Sequence, residues 1–356
     1  SSPDMEQTYK KILIVNLGGI GDLMLSSPAL RAIRSWMPDA RLCLLTAAPS
    51  AEYARLLPYI DEVHTLEIGR GFLRLAAGLG VLLFLRKERF DLCVNMRTIV
   101  SARSRRGIRL VFDLIRAGRT AGRDTDGRGD FFDIRIKEDG GDTDYEMEYD
   151  LSMARTLTGR PVEDRTVDFP VDDAARARVE RLLSDGGAFP GTPVIGLHLG
   201  GKPSHAWPEE NFAAAAAMID QKRESIFVLT GDSRDGERAR AAFAGTAPRS
   251  IDLTGKLTLV ELGAVIARCG LYITSDSAPM HIAAALGTPL VAIFGPGYIR
   301  RFDPRRILPG AVVLSAKTPC APCDRVTCPS LRCLKAITPE EAARAAIELL
   351  SGGDHI

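Results

Sequence analysis

The segment Ile273-Thr-Ser-Asp-Ser-Ala-Pro-Met-His-Ile-Ala-Ala-Ala-Leu-Gly-Thr-Pro-Leu-Val-Ala-Ile-Phe-Gly-Pro296 carries the plainest structural signal in the chain. A β-branched, apolar run from Gly270 ends at Thr274, and polar residues then turn the chain. Pro279 belongs in a first helical turn, where its missing N–H has no intrahelical use and its fixed φ suits the helix. A short helix follows from His281 to Leu286, Gly287-Thr-Pro stops it, and Pro289 to Phe294 is a second buried strand. Strand, helix and strand in this order predict a parallel pair joined by a crossover.

Outward from this unit the alternation continues. Val194 to Leu199 and Ser225 to Thr230 read as strands; Pro208 to Gln221, Asp235 to Ala244 and Thr258 to Arg268 read as helices. Pro339 to Leu350 closes the chain as a helix with Thr338 as its N-cap. Ser184 to Pro193, rich in Gly and Pro, reads as a linker. The earlier half opens on a strand from Lys11 to Leu17, a Gly18-Gly-Ile-Gly-Asp22 turn and a helix from Leu23 to Met37. Arg41 to Thr46 and Asp91 to Met96 are further strands, with a helix at Ala51 to Leu57. Beyond them the pattern loosens: Arg97 to Arg128 holds nine arginines against three aspartates, and Asp139 to Asp150 is acidic and Gly-containing. Asp124-Thr-Asp126 and Asp142-Thr-Asp144 read as surface loop. The fold class is α/β with two doubly wound sheets in tandem. The domains expected are 1–185 and 186–337, with 338–356 a C-terminal helix packing back on the first.

A chain of 356 residues favours two cores over one. Lys plus Arg (46) balances Asp plus Glu (45), so nothing global asks for nucleic acid. Phe72 to Leu85 is the most apolar stretch, but Arg74, Gly78 and Gly80 interrupt it and it is short for a membrane span; it reads as a buried or amphipathic helix. No basic segment leading into an apolar one opens the chain. Cys43, Cys93 and Cys269 fall in or beside apolar segments as core thiols. The reading is of a cytoplasmic protein. Cys320-x-x-Cys323, Cys328 and Cys333 are spaced as a tetrathiolate structural metal site or a reduced thiol knot.

Strand ends followed by helices are where this architecture does chemistry. The turn after Thr274 aims helix N–H groups and the positive end of the dipole beyond the strand, a setting for a diphosphate. Ser277 and His281 add hydrogen bonds to such an anion. Asp276 has the wrong charge for phosphate and suits sugar hydroxyls. Lys202 and His205, in His198-Leu-Gly-Gly-Lys-Pro-Ser-His-Ala-Trp-Pro208, bring positive or proton-donating groups to another strand end. Asp235 opens a helix where it can meet ribose hydroxyls or cap the helix. Asp22 follows the first strand's glycine turn, either as an N-terminal cap or as a reactive acid. Gly18-Gly-Ile-Gly lacks the spacing of a dinucleotide fingerprint.

These residues resemble glycosyltransferase family nine, the heptosyltransferases of the lipopolysaccharide inner core. The resemblance runs from Ile12 to Leu350. It rests on Gly18-Gly-Ile-Gly-Asp22 with Ser27-Pro-Ala-Leu30, on Trp207-Pro-Glu-Glu-Asn-Phe212, on Asp276-Ser-Ala-Pro-Met-His281 through Phe294-Gly-Pro296, and on the cysteine-containing tail. It implies a GT-B fold, two Rossmann-like domains facing across a cleft, and an inverting transfer needing no metal cofactor. The donor implied is an ADP-heptose or related ADP-sugar bound by Lys202, His205, Asp235, Asp276, Ser277, Ala278, Met280 and His281. Asp22 would be the general base. The acceptor would be an anionic glycolipid gripped by Arg97, Arg103, Arg105 and Arg106, since guanidinium pairs bidentately with carboxylate and phosphate. Peripheral contact with the inner face of the cytoplasmic membrane follows from such an acceptor. Two positions depart from the family pattern: His205 replaces a basic residue before the Trp-Pro pair, and Ala278 replaces a glycine. The alternatives are a nucleotide-sugar epimerase of the same architecture and a nucleotide-sugar binding protein without activity.

Overall fold

A computed structural model of the chain describes residues 8–67, 72–138, 144–245, 248–323 and 325–352. The chain divides into two compact units, Ser1–Asp168 and Phe169–Ile356. In the first, six parallel strands, β1 (Lys11–Asn16), β2 (Arg41–Ala47), β3 (Glu62–Leu66), β4 (Leu92–Asn95), β5 (Arg119–Thr125) and β6 (Ile134–Glu138), lie in the order β3-β2-β1-β4-β5-β6. Its helices are α1 (Ile20–Trp36), α2 (Ala51–Ala54), α3 (Phe72–Lys87), α4 (Ala102–Ile115) and α5 (Glu146–Thr158); α1 packs on α5 and α3 on α4.

The second unit repeats the plan with β7 (Val194–His198), β8 (Ile226–Thr230), β9 (Ser250–Asp252), β10 (Leu271–Ser275), β11 (Leu290–Phe294) and β12 (Val312–Ser315), in the order β12-β11-β10-β7-β8-β9 and all parallel. Its helices are α6 (Asp173–Asp185), α7 (Glu209–Asp220), α8 (Asp235–Phe243), α9 (Leu259–Arg268), α10 (Ala278–Leu286), α11 (Ile299–Phe302), α12 (Arg332–Lys335) and α13 (Pro339–Gly352). Counted within each unit, the strand order is the same doubly wound one, and it reverses between the first and fourth strands. Ligands of such sheets sit beyond the strands' carboxyl ends at that reversal. The central strands are buried along nearly their whole length, as a sheet covered on both faces requires: Ile12 to Val15 and Val291 to Phe294 are fully buried.

Four departures from the sequence reading have physical causes. The loosened stretch after Arg97 is ordered as α4, β5, β6 and α5; its polar look comes from Arg123 on β5, fully buried and paired with Glu138, Glu146 and Asp150. Asp124 lies within β5 rather than in a loop, and its Oδ1 accepts the Gly129 N–H (2.7 Å). Asp142 and Thr143 lie outside the described residues. The units divide at Asp168, ahead of α6 rather than after it, because α6 packs on α9 and Gly263 admits the Phe169 ring, where a Cβ would meet Cε1 at 2.2 Å. The terminal helix α13, expected to pack back on the first unit, packs on α7, β10 and β11 of the second, and Trp207 Nε1 donates to Ile337 O (3.1 Å) just ahead of it.

Candidate functional site

The first reversal lies between β1 and β4, and both strands end in asparagine. Asn16 Oδ1 accepts the Gly18 N–H (3.1 Å), and Asn95 Nδ2 donates to Arg97 O (2.7 Å), so each side chain shapes the turn beyond its own strand. These turns bring Asp22 and Arg97 together. Asp22 stands in the first turn of α1, where Oδ2 accepts the Gly19 N–H (2.8 Å) and Oδ1 accepts from Arg97 Nη1 (2.5 Å). The capping role therefore exists, yet it uses one oxygen, and a carboxylate offers about four lone-pair positions. The side chain of Asp22 is 18% exposed and that of Arg97 24%. Gly18 is required here: a Cβ on it would stand 2.8 Å from both Asp22 Cβ and Oδ2.

Behind this pair the charge is buried. Arg97 Nη1 also donates to Glu146 Oε1 (3.2 Å), which accepts in turn from Arg123 Nη1 (2.9 Å). Arg123 Nη2 donates to Asp150 Oδ1, and Asp150 Oδ2 accepts from Ser26 Oγ (2.6 Å). Burial pushes the Asp150 carboxyl up to about 6, with Arg123 opposing and Glu146 adding to the rise. Sequence reasoning missed Glu146, Asp150, Arg123 and Ser26, since a lone charged residue in a strand or helix shows nothing of its pairing.

The second reversal lies between β7 and β10. Its strand-end loops are tied together: Trp207 N–H donates to Ser275 Oγ (2.9 Å), and the Trp207 ring packs edge-on against Phe212 at 4.9 Å. Ser277 is the N-cap of α10, with Pro279 in its first turn. Met280 N–H donates to Ser277 O (3.1 Å), so the amides of Ser277 and Ala278 are those the turn leaves for an anion among the described residues. Asp276 lies against Gly297, whose Cβ would come within 2.0 Å of Asp276 Oδ2. His281 is buried beside Phe302, ring centroids 6.2 Å apart. Met280, expected among the donor contacts, has its side chain fully buried in the core.

Lys202 is exposed, whereas His205 is buried with Nδ1 2.9 Å from Ser204 Oγ. Asp235 is buried under Gly200 and Gly231; Oδ2 accepts the Asp232 N–H (2.8 Å) and Oδ1 accepts from Arg238 Nη2 (2.9 Å). Asp235 is thus held by the turn before α8 and by Arg238, and its side chain does not cap the helix. Burial pushes His198 at the end of β7 down to about 4; its Nδ1 lies 3.1 Å from Thr230 Oγ1.

The cysteine tail frames this strand end. Cys323 N–H donates to Pro296 O (2.8 Å), and Ser204 N–H donates to Val326 O (3.2 Å). The four thiols do not assemble the expected ligand set. Among the described residues the one trio of potential ligands with atoms within 4.8 Å is Cys43, Glu62 and His64, and none of the seven cysteines forms a disulfide. Hydrogen bonds from Ser330 hold the half-buried Cys328 thiol down to about 7.

The arginines of the loosened segment have separate fates. Arg97 holds Asp22; Arg105 Nη2 donates to Asp130 Oδ1 (2.7 Å) with its guanidinium 5.8 Å from the Phe131 ring centroid; Arg103 and Arg106 on α4 are exposed. Beside them a cavity of about 620 Å³ opens between α3 and α4, reaching from Arg97 past Leu17, Leu82, Ile108 and Val111 to the exposed Leu79 and Leu110. No described helix is long and apolar enough to cross a membrane.

A pair of doubly wound units of this kind is the architecture of the GT-B glycosyltransferases. Residues 84–333 match the model of glycosyltransferase family 9 (heptosyltransferase), and the chain belongs to that family. It is 25% identical over 297 residues to lipopolysaccharide heptosyltransferase 2 of Salmonella typhimurium, covering 80% of this chain and 83% of that one. A family 9 glycosyltransferase structure from Veillonella parvula superposes with a TM-score of 0.79 at 22% identity, over 98% of this chain and 99% of that one. The ADP-heptose lipopolysaccharide heptosyltransferase II of E. coli superposes at 0.73 with 21% identity, over 97% and 99%. The protein is thus a heptosyltransferase-like glycosyltransferase.

Proposed function

We propose that this enzyme moves a heptose, or a closely related sugar, from an ADP-sugar to a hydroxyl of a lipopolysaccharide-core glycan with inversion. The acceptor oxygen attacks the anomeric carbon, the bond from that carbon to the phosphate oxygen breaks, and ADP departs with the electron pair. Asp22 takes the acceptor's proton, a role that typically contributes about 10²- to 10⁴-fold. The observation that carries this reading is the Asp22 carboxylate, partly exposed at the reversal of the first sheet and fixed from two sides. The amides of Ser277 and Ala278, with His281 and Lys202, stabilise the departing diphosphate. Asp276 takes sugar hydroxyls, Asp235 the ribose, and the loop of His205 lines the same strand end. The ADP-heptose named for the E. coli relative supports the choice of donor.

Arg103 and Arg106 meet the anionic groups of the glycolipid acceptor, and the apolar cavity beside Arg97 suits its lipid portion or the membrane face that presents it. Incubation with ADP-heptose and a core glycan is expected to release ADP and give a glycoside of inverted anomeric configuration. With donor alone only slow hydrolysis is expected. A sugar epimerised in the absence of acceptor would instead establish the epimerase alternative, and retained configuration would remove the direct displacement.

A further inference from the structure

We infer that Arg97 is a positioning residue that aims the Asp22 carboxylate, itself held by a closed ring of buried charges; the inference rests on the reading of Asp22 as base. The ring runs from Asp22 Oδ1 to Arg97, Glu146, Arg123, Asp150 and Ser26, and Ser26 Oγ lies 3.1 Å from the main-chain oxygen of Asp22, which closes it. Asn16 Nδ2 donates to Ser26 Oγ (2.9 Å), tying β1 into the same circuit. Four elements therefore converge on one carboxylate: α1 carries it, the turn after β4 supplies Arg97, β5 supplies Arg123, and α5 supplies Glu146 and Asp150.

Stability alone is a poor explanation for this arrangement. A buried ion pair is often no more stabilising than well-packed apolar side chains, because desolvation offsets most of the attraction. Here Arg123 is fully buried with its Nε lacking a partner among the described residues, and three carboxylates, Glu138, Glu146 and Asp150, are at most 1% exposed around it. What such a circuit does well is fix a geometry. Arg97 Nη1 is held between Glu146 Oε1 and Asp22 Oδ1. Within the circuit Asp22 is the one carboxylate open to solvent, so it alone can meet a substrate hydroxyl. A displacement of about 1 Å in a reacting group can cost on the order of a hundredfold in rate. Arg97 meets Asp22 and Glu146 through the same Nη1, which gives it a positioning role in place of the acceptor contact read from the sequence.

A double-mutant cycle tests the assignment on the full chain with ADP-heptose and a core-glycan acceptor. Arg97→Gln is expected to lower kcat by about ten- to a hundredfold with both KM values within about twofold. In an Asp22→Asn background the same change should cost nothing further, and Arg97→Lys should recover part of the loss in an otherwise normal chain. Glu146→Gln, one link further back and isosteric, should give a smaller loss confined to kcat; it keeps the question answerable if Arg97→Gln folds poorly. A rise in acceptor KM at constant kcat would overturn the proposal in favour of direct acceptor binding. An equal cost of Arg97→Gln with and without Asp22, or an unchanged kcat, would overturn it as well. Full activity of Asp22→Asn alone would instead sink the reading of Asp22 as base, a failure visible without any Arg97 variant.

Discussion

The two sheets share one strand order and differ in what they place at the point where it reverses. The first reversal is built of ionised groups: a partly exposed Asp22 on Arg97, backed by Glu146, Arg123 and Asp150. The second has no comparable buried circuit: a helix N-terminus at Ser277, a buried His281 and His198 kept neutral by burial stand beside the acids Asp276 and Asp235. The difference fits two tasks. A base that must accept a proton at one point is best clamped by fixed charges, while a diphosphate is best met by amides and other hydrogen-bond donors. Each unit nonetheless sets a glycine against its key acid, Gly18 against Asp22 and Gly297 against Asp276.

The largest effect should come from opening the buried circuit. Arg123→Met leaves three carboxylates without their cation, and removal of one partner from a buried pair costs about 3–5 kcal/mol. Denaturant unfolding should show that loss, whereas Arg234→Met at the exposed Arg234–Asp232 pair beside the second reversal should cost only a small fraction of it. Comparable losses at the two sites would mean that the two reversals are held by similar forces.

The two glycines offer a sharper contrast. Alanine at Gly18 collides with Asp22 Cβ, close to the helix backbone, and should reduce both stability and turnover. Alanine at Gly297 collides only with the end of the Asp276 side chain, which can swing away. Gly297→Ala should therefore keep its melting temperature and ADP affinity while turnover falls about tenfold or more, the scale of one mispositioned substrate contact. Weaker binding of plain ADP by Gly297→Ala would place Asp276 on the nucleotide instead of the sugar.

Acidification should affect the two reversals oppositely. Asp150, with an ordinary value of 3.8, is raised to about 6, so the folded state holds a proton that the unfolded chain has released. Its contribution to stability is present below about 4 and is lost as pH climbs to 6. His198, ordinarily at 6.5, is lowered to about 4, so the unfolded chain takes up a proton that the fold refuses. Stability from that side is lost as pH falls from 6.5 to 4. Unfolding measured across this range should show His198→Asn losing less than the parent on acidification, and Asp150→Asn losing less on the return. Two unchanged pH profiles would show that neither group titrates as its burial implies.

The smallest effect concerns the acceptor. Replacing exposed Arg103 and Arg106 with Ala should raise acceptor KM several-fold, more at low salt than at high, and leave donor kinetics alone. Equal loss for both substrates would remove these residues from acceptor binding.

Much of the second unit was legible because its strands are continuous apolar runs and its turns carry Gly and Pro at their ends. The edge strands β9 and β12, only three and four residues long, were not. In the first unit legibility stopped at Arg97. An arginine inside β5 and acids opening α5 look like solvated surface until Arg123, Glu138, Glu146 and Asp150 are seen to neutralise one another in the core. The pairing of Arg97 with Asp22 and Glu146 and the full burial of the Met280 side chain were equally invisible in the sequence. The place of Asp22, at the end of a glycine turn after a buried strand, was legible, but its pairing with a residue 75 positions later was not.

The central claim is the division of labour between the two reversals, and ADP titrated calorimetrically into Asp22→Asn tests it most directly. The variant keeps the side chain's size and can still accept the Gly19 N–H. The account predicts a Kd for ADP equal to that of the parent protein, with turnover in the same preparation reduced at least about a hundredfold at saturating donor and acceptor. Retained turnover, or a loss of ADP affinity matching that of His281→Ala, would contradict it.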